Sequence, residues 1–172
     1  MTSRAFIRLL LVGPFLAACW EAPTAPEREV SLTLLGSDTR PFSATVAGNA
    51  NLSPTADPCS FVNEETGSGE ASHLGTFAWS DVEAVDFCAI PGGVAVSGAF
   101  VMRAANGDQL TGELGTTGTF AQTGDLVITG TYTITGGTGR FVGATGSGTV
   151  DVIATMAPDL PFSGSFQGTI GY

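Results

Sequence analysis

Apolar and polar residues alternate with a period of two over much of this sequence. In residues 94–103, Val94, Val96, Gly98, Phe100 and Met102 fall on one face. In 126–134, Leu126, Ile128, Gly130, Tyr132 and Ile134 share a face, with Thr129, Thr131 and Thr133 opposite. Val150, Val152, Ala154 and Met156 repeat the pattern. Near the end, Phe162, Gly164, Phe166, Gly168 and Ile170 alternate with Ser163, Ser165, Gln167 and Thr169. Successive side chains of a strand point to opposite faces, so an apolar face backed by a hydroxyl-rich one predicts antiparallel sheet packed on one side. Further strands are expected at 29–35, 41–47 and 73–79, for a total of about eight. Helical periodicity is missing, and the many Gly and β-branched residues oppose helix.

Turn residues punctuate the runs. Asn106-Gly107-Asp108 predicts a hairpin, with the positive φ angles of a type I′ turn. Thr123-Gly124-Asp125 is a weaker version, and Gly136-Gly137-Thr138-Gly139 predicts a tight turn. The segment 52–72, rich in Pro, Gly, Ser and Glu, reads as a long loop held near one end by Cys59. Short strands with regular turns predict an all-β barrel or sandwich, and we expect a small antiparallel barrel. Glycines at core-facing positions 98, 112, 130, 164 and 168 allow strong coiling and close packing, or leave room for a ligand.

The N-terminus departs from this pattern. Arg4 and Arg8 precede an apolar run from Leu9 to Leu16, and Leu16-Ala17-Ala18-Cys19 follows. A short positive region, an apolar region and small residues before a cysteine predict a lipoprotein signal peptide at 1–18, with lipid on Cys19. The apolar run is shorter than the roughly 20 residues that span a bilayer. Residues 19–29 are expected to be the lipidated cysteine and a Pro-rich tether, and 30–172 the barrel. These features predict a bacterial cell-envelope protein anchored to the membrane by lipid. The residue after Cys19 is Trp20 rather than Asp, which favours the outer membrane in a diderm host.

Charge narrows the partners. Lysine is absent, and beyond residue 18 four arginines (28, 40, 103 and 140) face sixteen acids, a net charge of −12. An acidic globule repels phosphate backbones, so nucleic acid is not expected as a partner. Cys59 and Cys88 form an even pair in an oxidising compartment and are expected to be a disulfide.

Residues 130–149, Gly-Thr-Tyr-Thr-Ile-Thr-Gly-Gly-Thr-Gly-Arg-Phe-Val-Gly-Ala-Thr-Gly-Ser-Gly-Thr, resemble the motif of the allene oxide cyclase and dirigent barrel superfamily. There, a strand ends in Gly-Gly-Thr-Gly and the next begins with Arg-Phe-x-Gly-Ala-x-Gly. Ala105–Gly112 and His73-Leu74-Gly75 also resemble a group of uncharacterised secreted bacterial lipoproteins. The resemblance implies an eight-stranded antiparallel barrel, oligomeric in many plant members. It marks Gly136, Gly137, Gly139, Arg140, Phe141, Gly143 and Gly146 as fold determinants. The plant proteins' acidic catalytic residues have no matching positions here.

No catalytic constellation stands out, and neither a cofactor nor a metal is assigned. His73, the single histidine, reads as structural. Glu64, Glu65 and Glu70, and then Asp81, Glu83 and Asp86, form two acidic clusters. Either could hold Ca²⁺ through oxygen, but neither has EF-hand spacing, and both read as solvated loop acids. Arg140 is expected to pair with an acid at a barrel mouth. The expected function is binding of a small hydrophobic ligand within the barrel. The alternatives are a structural or protein-interaction module of the envelope, which could be a homo-oligomer, and a cyclase- or isomerase-like enzyme by fold analogy alone.

Overall fold

The computed structural model describes residues 38–172, and the expected signal peptide, Cys19, the tether and the predicted strand at 29–35 lie outside them. Eight strands run in chain order: β1 (Arg40–Pro54), β2 (Ser60–Ala71), β3 (Gly75–Asp86), β4 (Gly93–Ala104), β5 (Gln109–Phe120), β6 (Leu126–Gly137), β7 (Thr145–Ala154) and β8 (Pro161–Gly171). One short 3₁₀ turn, η1 (Gly139–Phe141), joins β6 to β7. Each strand pairs antiparallel with the next, and β8 pairs back onto β1, with Arg40 opposite Ile170 and Asn49 opposite Pro161. The result is a closed up-and-down barrel, which leaves no sheet edge exposed.

Alternation fixes which side chains enter the lumen. Phe42, Phe77, Trp79, Phe100, Tyr132, Phe166 and Ile170 are buried inside, whereas Thr129, Thr131, Thr133, Ser163 and Gln167 face outward. The rings fill the middle of the barrel. Trp79 stacks on Phe100 with centroids 5.3 Å apart. Phe166 meets Trp79 at 5.5 Å, Phe100 at 5.7 Å and Tyr132 at 5.2 Å. Such pairs add about 0.5–1.5 kcal/mol each beyond the area they bury. Gly112 shows why lumen glycines are used: a Cβ there would fall on the Phe100 ring and on the Thr133 carbonyl. The glycine-thinned face is therefore occupied by aromatic rings from neighbouring strands.

Two sequence expectations need correction. Most of the long loop expected at 52–72 is strand: β2 occupies Ser60–Ala71, and only 55–59 connect it to β1. Its inward positions are Phe61, Asn63, Glu65, Gly67, Gly69 and Ala71. They carry little apolar character, so the period of two was hidden. The Asn106-Gly107 hairpin is present but is not type I′. Gly107 has φ 93° while Asn106 does not have positive φ. Gly107 N–H donates to the Ala104 carbonyl and Ala104 N–H to the Asp108 carbonyl. This is a three-residue loop, a tight turn closed by a left-handed glycine. Thr123-Gly124 repeats it, with Gly124 at φ 88° and the matching bonds from Gly124 to Ala121 and from Ala121 to Asp125.

Candidate functional site

The loops 55–59, 87–92, 121–125 and 155–160 gather at one end of the barrel. Cys59 and Cys88 form a disulfide there, with Cα atoms 5.5 Å apart. It ties the β1–β2 loop to the β3–β4 loop. Phe61 and Phe87 pack edge to face beside it at 5.3 Å. We call this the disulfide end.

The residues singled out by the family resemblance lie at the opposite end. Gly136 (φ 153°), Gly139 (φ 59°) and Gly143 (φ 76°) take backbone conformations that suit glycine. A Cβ on Gly139 would strike the Asp108 carboxylate. Gly137 and Gly146 each lie against a carbonyl of the adjacent strand, and Phe141 is buried. Arg140 pairs with Asp108 at 3.7 Å and lies over the Phe141 ring at 4.9 Å. His73 is also at this end, in the β2–β3 turn, 2.9 Å from the Pro41 carbonyl through Nε2. These groups shape the turn and are separated along the barrel from the polar cluster described next.

That cluster lies inside the lumen, between the aromatic belt and the disulfide end. Strands β2 and β3 place Asn63 opposite Glu83 and Glu65 opposite Asp81. The four side chains point inward because they share parity with Phe61 on β2 and with Phe77, Trp79 and Val85 on β3. Asp81 is 4% exposed, Glu83 8% and Asn63 7%. Asn63 donates through Nδ2 to Glu65 Oε1 and to Glu83 Oε2, both at 3.0 Å. One carboxylate oxygen from each of Glu65, Asp81 and Glu83 lies within 4.8 Å of the others.

Three negative charges so close would repel strongly. At about 5 Å and an effective dielectric near 20, each charged pair costs about 3 kcal/mol. Burial holds the Asp81 carboxyl up at about 10, with Glu83 and Glu65 adding to the effect. Burial, and then Glu83, raises Glu65 to about 7. Burial also raises Glu83, against an opposing hydrogen bond from Asn63. In the protein alone, the cluster therefore holds protons at neutral pH.

Glu65, Asp81 and Glu83 line a small internal cavity with Trp79, Val96, Thr116 and Phe162. Its volume is about 20 Å³, enough for one water-sized body. Four buried polar atoms on its lining residues have no hydrogen-bond partner: Asp81 Oδ1 and Oδ2, Trp79 Nε1 and Thr116 Oγ1. An unpaired buried polar group costs about 1–3 kcal/mol, so their concentration in one place is not neutral packing. Two glycines make the room: a Cβ on Gly98 would press on Glu83, and one on Gly130 on Thr116.

The sequence grouped these acids wrongly. The clusters read as Glu64–Glu65–Glu70 and Asp81–Glu83–Asp86 are not solvated loops. Glu64 and Glu70 face outward, and Asp86 caps the β3–β4 loop by accepting from the Cys88 and Ala89 N–H groups. Glu65, Asp81 and Glu83 turn inward together. Their i, i+2 spacing with Phe77, Trp79 and Val85 is the signal that identifies their face.

No protein-family model matches the chain, and no curated protein matches it. The chemistry of the lumen is therefore the basis for reading its function. A larger depression of about 680 Å³ lies on the outer wall across Thr45, Ser68, Thr129, Asp151 and Ser163. No charged group is buried along it.

Proposed function

We propose that this chain is a lipid-anchored binding module of the bacterial cell envelope, which takes a small polar ligand into its lumen near the disulfide end. One observation carries the reading: unpartnered polar atoms of Asp81, Trp79 and Thr116 converge on one cavity in an otherwise ring-packed lumen. A barrel interior normally satisfies its polar atoms, so a group that bonds to them is the simplest reason to keep them. Leu16-Ala17-Ala18-Cys19 supports the lipid anchor. The Gly136–Gly146 motif, on a closed barrel of eight strands, supports placement with the allene oxide cyclase and dirigent superfamily. The small hydrophobic ligand suggested by the lumen glycines is a weaker candidate. It would have to displace Phe162 or Phe166, which line the same 20 Å³ cavity.

A second reading rests on the carboxyls themselves. Asp81 holds its proton through neutral pH, while Glu65 titrates near 7. Two acids with separated pKa values are the equipment of proton-transfer catalysis, so a cyclase- or isomerase-like activity is the alternative.

Native mass spectrometry on the chain purified from its own envelope tests the main reading. The expected result is a lipid mass on Cys19 and a second mass that disappears in Asp81→Leu. A spectrum with the lipid alone, the same in wild type and variant, would overturn the binding reading.

A further inference from the structure

The nature of the ligand follows from the donor set, and this inference rests on the binding reading above. We infer that Glu65, Asp81 and Glu83, together with the hydroxyl of Thr116, form a site for a single hard divalent cation of the calcium class. The acids alone would not carry this. The independent observation is Thr116 Oγ1, a neutral oxygen on a side chain 7% exposed, which lines the same cavity and has no partner.

The chemistry of those atoms selects the ligand. Every candidate ligand atom is oxygen, from three carboxylates, each able to offer two atoms, and one hydroxyl. Ca²⁺ takes 6–8 oxygens at about 2.3–2.6 Å, whereas thiolate and imidazole suit softer metals. Asn63 positions two of the carboxylates, its Nδ2 donating to both Glu65 and Glu83. Thr116 approaches from β5, two strands along the barrel wall from β3, so the donors come from three strands.

Size agrees with charge. Two oxygens bound to one ion at about 2.4 Å can be no further apart than about 4.8 Å. The three carboxylate oxygens already meet that limit. Mg²⁺ demands near-ideal octahedral geometry at about 2.0–2.1 Å and dehydrates reluctantly, so a dry cage of protein oxygens suits it less well. The 20 Å³ cavity admits one ion or water but no organic cation. A divalent ion would neutralise the like charges that otherwise require protons. Trp79 lines the same cavity, so its fluorescence reports on the site.

The test uses the full chain in detergent micelles, stripped with EDTA and dialysed into calcium-free buffer at pH 7.5. Calcium chloride and magnesium chloride are titrated separately, with heat, tryptophan fluorescence and melting temperature as readouts. Calcium is expected to bind saturably at one ion per chain, to shift Trp79 emission and to raise the melting temperature. Magnesium is expected to bind at least tenfold more weakly. Asp81→Asn is expected to lose saturable calcium binding yet melt no lower than wild type in EDTA, because it keeps the shape of the protonated acid. Thr116→Val is expected to weaken calcium at least fivefold without adding charge, which guards against a misfolded Asp81 variant. Glu113→Gln, on the outer wall, is expected to leave binding unchanged. Absence of saturable calcium binding in the wild type overturns the inference, as does equal binding by wild type and both lumen variants. If calcium fails while native mass spectrometry still finds an Asp81-dependent bound mass other than calcium, the cation is wrong and the binding reading stands. If neither is found, both fall.

Discussion

Asp81 concentrates the tension between stability and function in this barrel. Without divalent ions, its carboxyl moves from an ordinary 3.8 to about 10 on folding, and that of Glu65 from 4.5 to about 7. The folded state then holds protons that the unfolded chain has released, so stability is greatest below the unfolded values and falls as pH rises. In EDTA, the melting temperature is expected to decline steadily from pH 5 through pH 8, and further toward pH 10. Asp81→Asn should flatten that decline, because the amide has no proton to lose in either state. A melting temperature that rises over this range would show that the acids are ionised and paired in the folded protein. Gly112 is a second residue whose role is local. Gly112→Ala places a methyl group against the Phe100 ring and the Thr133 carbonyl, an overpacking expected to cost about 1–3 kcal/mol. Chemical denaturation would measure it, and combining it with Phe100→Leu should recover part of the loss.

Among the elements, legibility followed how apolar the inner face is. β4, β6, β7 and β8 carry Val, Phe, Ile and Tyr at alternate positions and were readable directly. β2 carries Asn63, Glu65, Gly67 and Gly69 inward, and β5 carries Gly112, Thr116 and Gly118. Neither strand was distinguished, because polar and glycine positions mimic a loop. The β2–β3 hairpin is also what builds the site, so the same substitution of acids for apolar residues hid the element and created the chemistry. The disulfide belongs to this scale as well. It joins cysteines 29 residues apart in sequence, and a closed loop of that size is worth about 3.6 kcal/mol in the chain-entropy model. The double variant Cys59→Ser/Cys88→Ser is expected to lose about that much on denaturation. Amide exchange should quicken first at 55–60 and 87–93 rather than at η1, where no disulfide acts.

At the scale of the whole molecule, closure is the decisive contact. β1 and β8 are paired over ten positions although they lie at opposite ends of the described chain. Long-range pairing of this kind carries a large loop-closure entropy and slows folding. Removing residues 161–172 would expose β1 and β7 as open edges at once, each a template for association. Size-exclusion chromatography of the truncated chain is expected to show aggregate in place of the wild-type peak. A truncated chain that elutes unchanged would mean that seven strands close on their own. The outer wall, dominated by Thr and Ser, and the ring-packed lumen reverse the arrangement of a lipid-facing barrel, which is apolar outside and polar within. That leaves the cysteine-borne lipid as the proposed means of attachment.

The sequence by itself determined the strand-rich class, which residues of most strands share a face, and the glycine-rich turn around Arg140, because each rests on neighbours close along the chain; the even count of cysteines beyond residue 19 determined their pairing. A period of two, a positive φ or a short spacing is local physics. Only the tertiary structure decided that Glu65, Asp81 and Glu83 share one cavity with Thr116, and that the lumen glycines accommodate rings. Those facts depend on strand register and barrel closure, which bring together residues that local alternation places on a face but cannot place opposite one another.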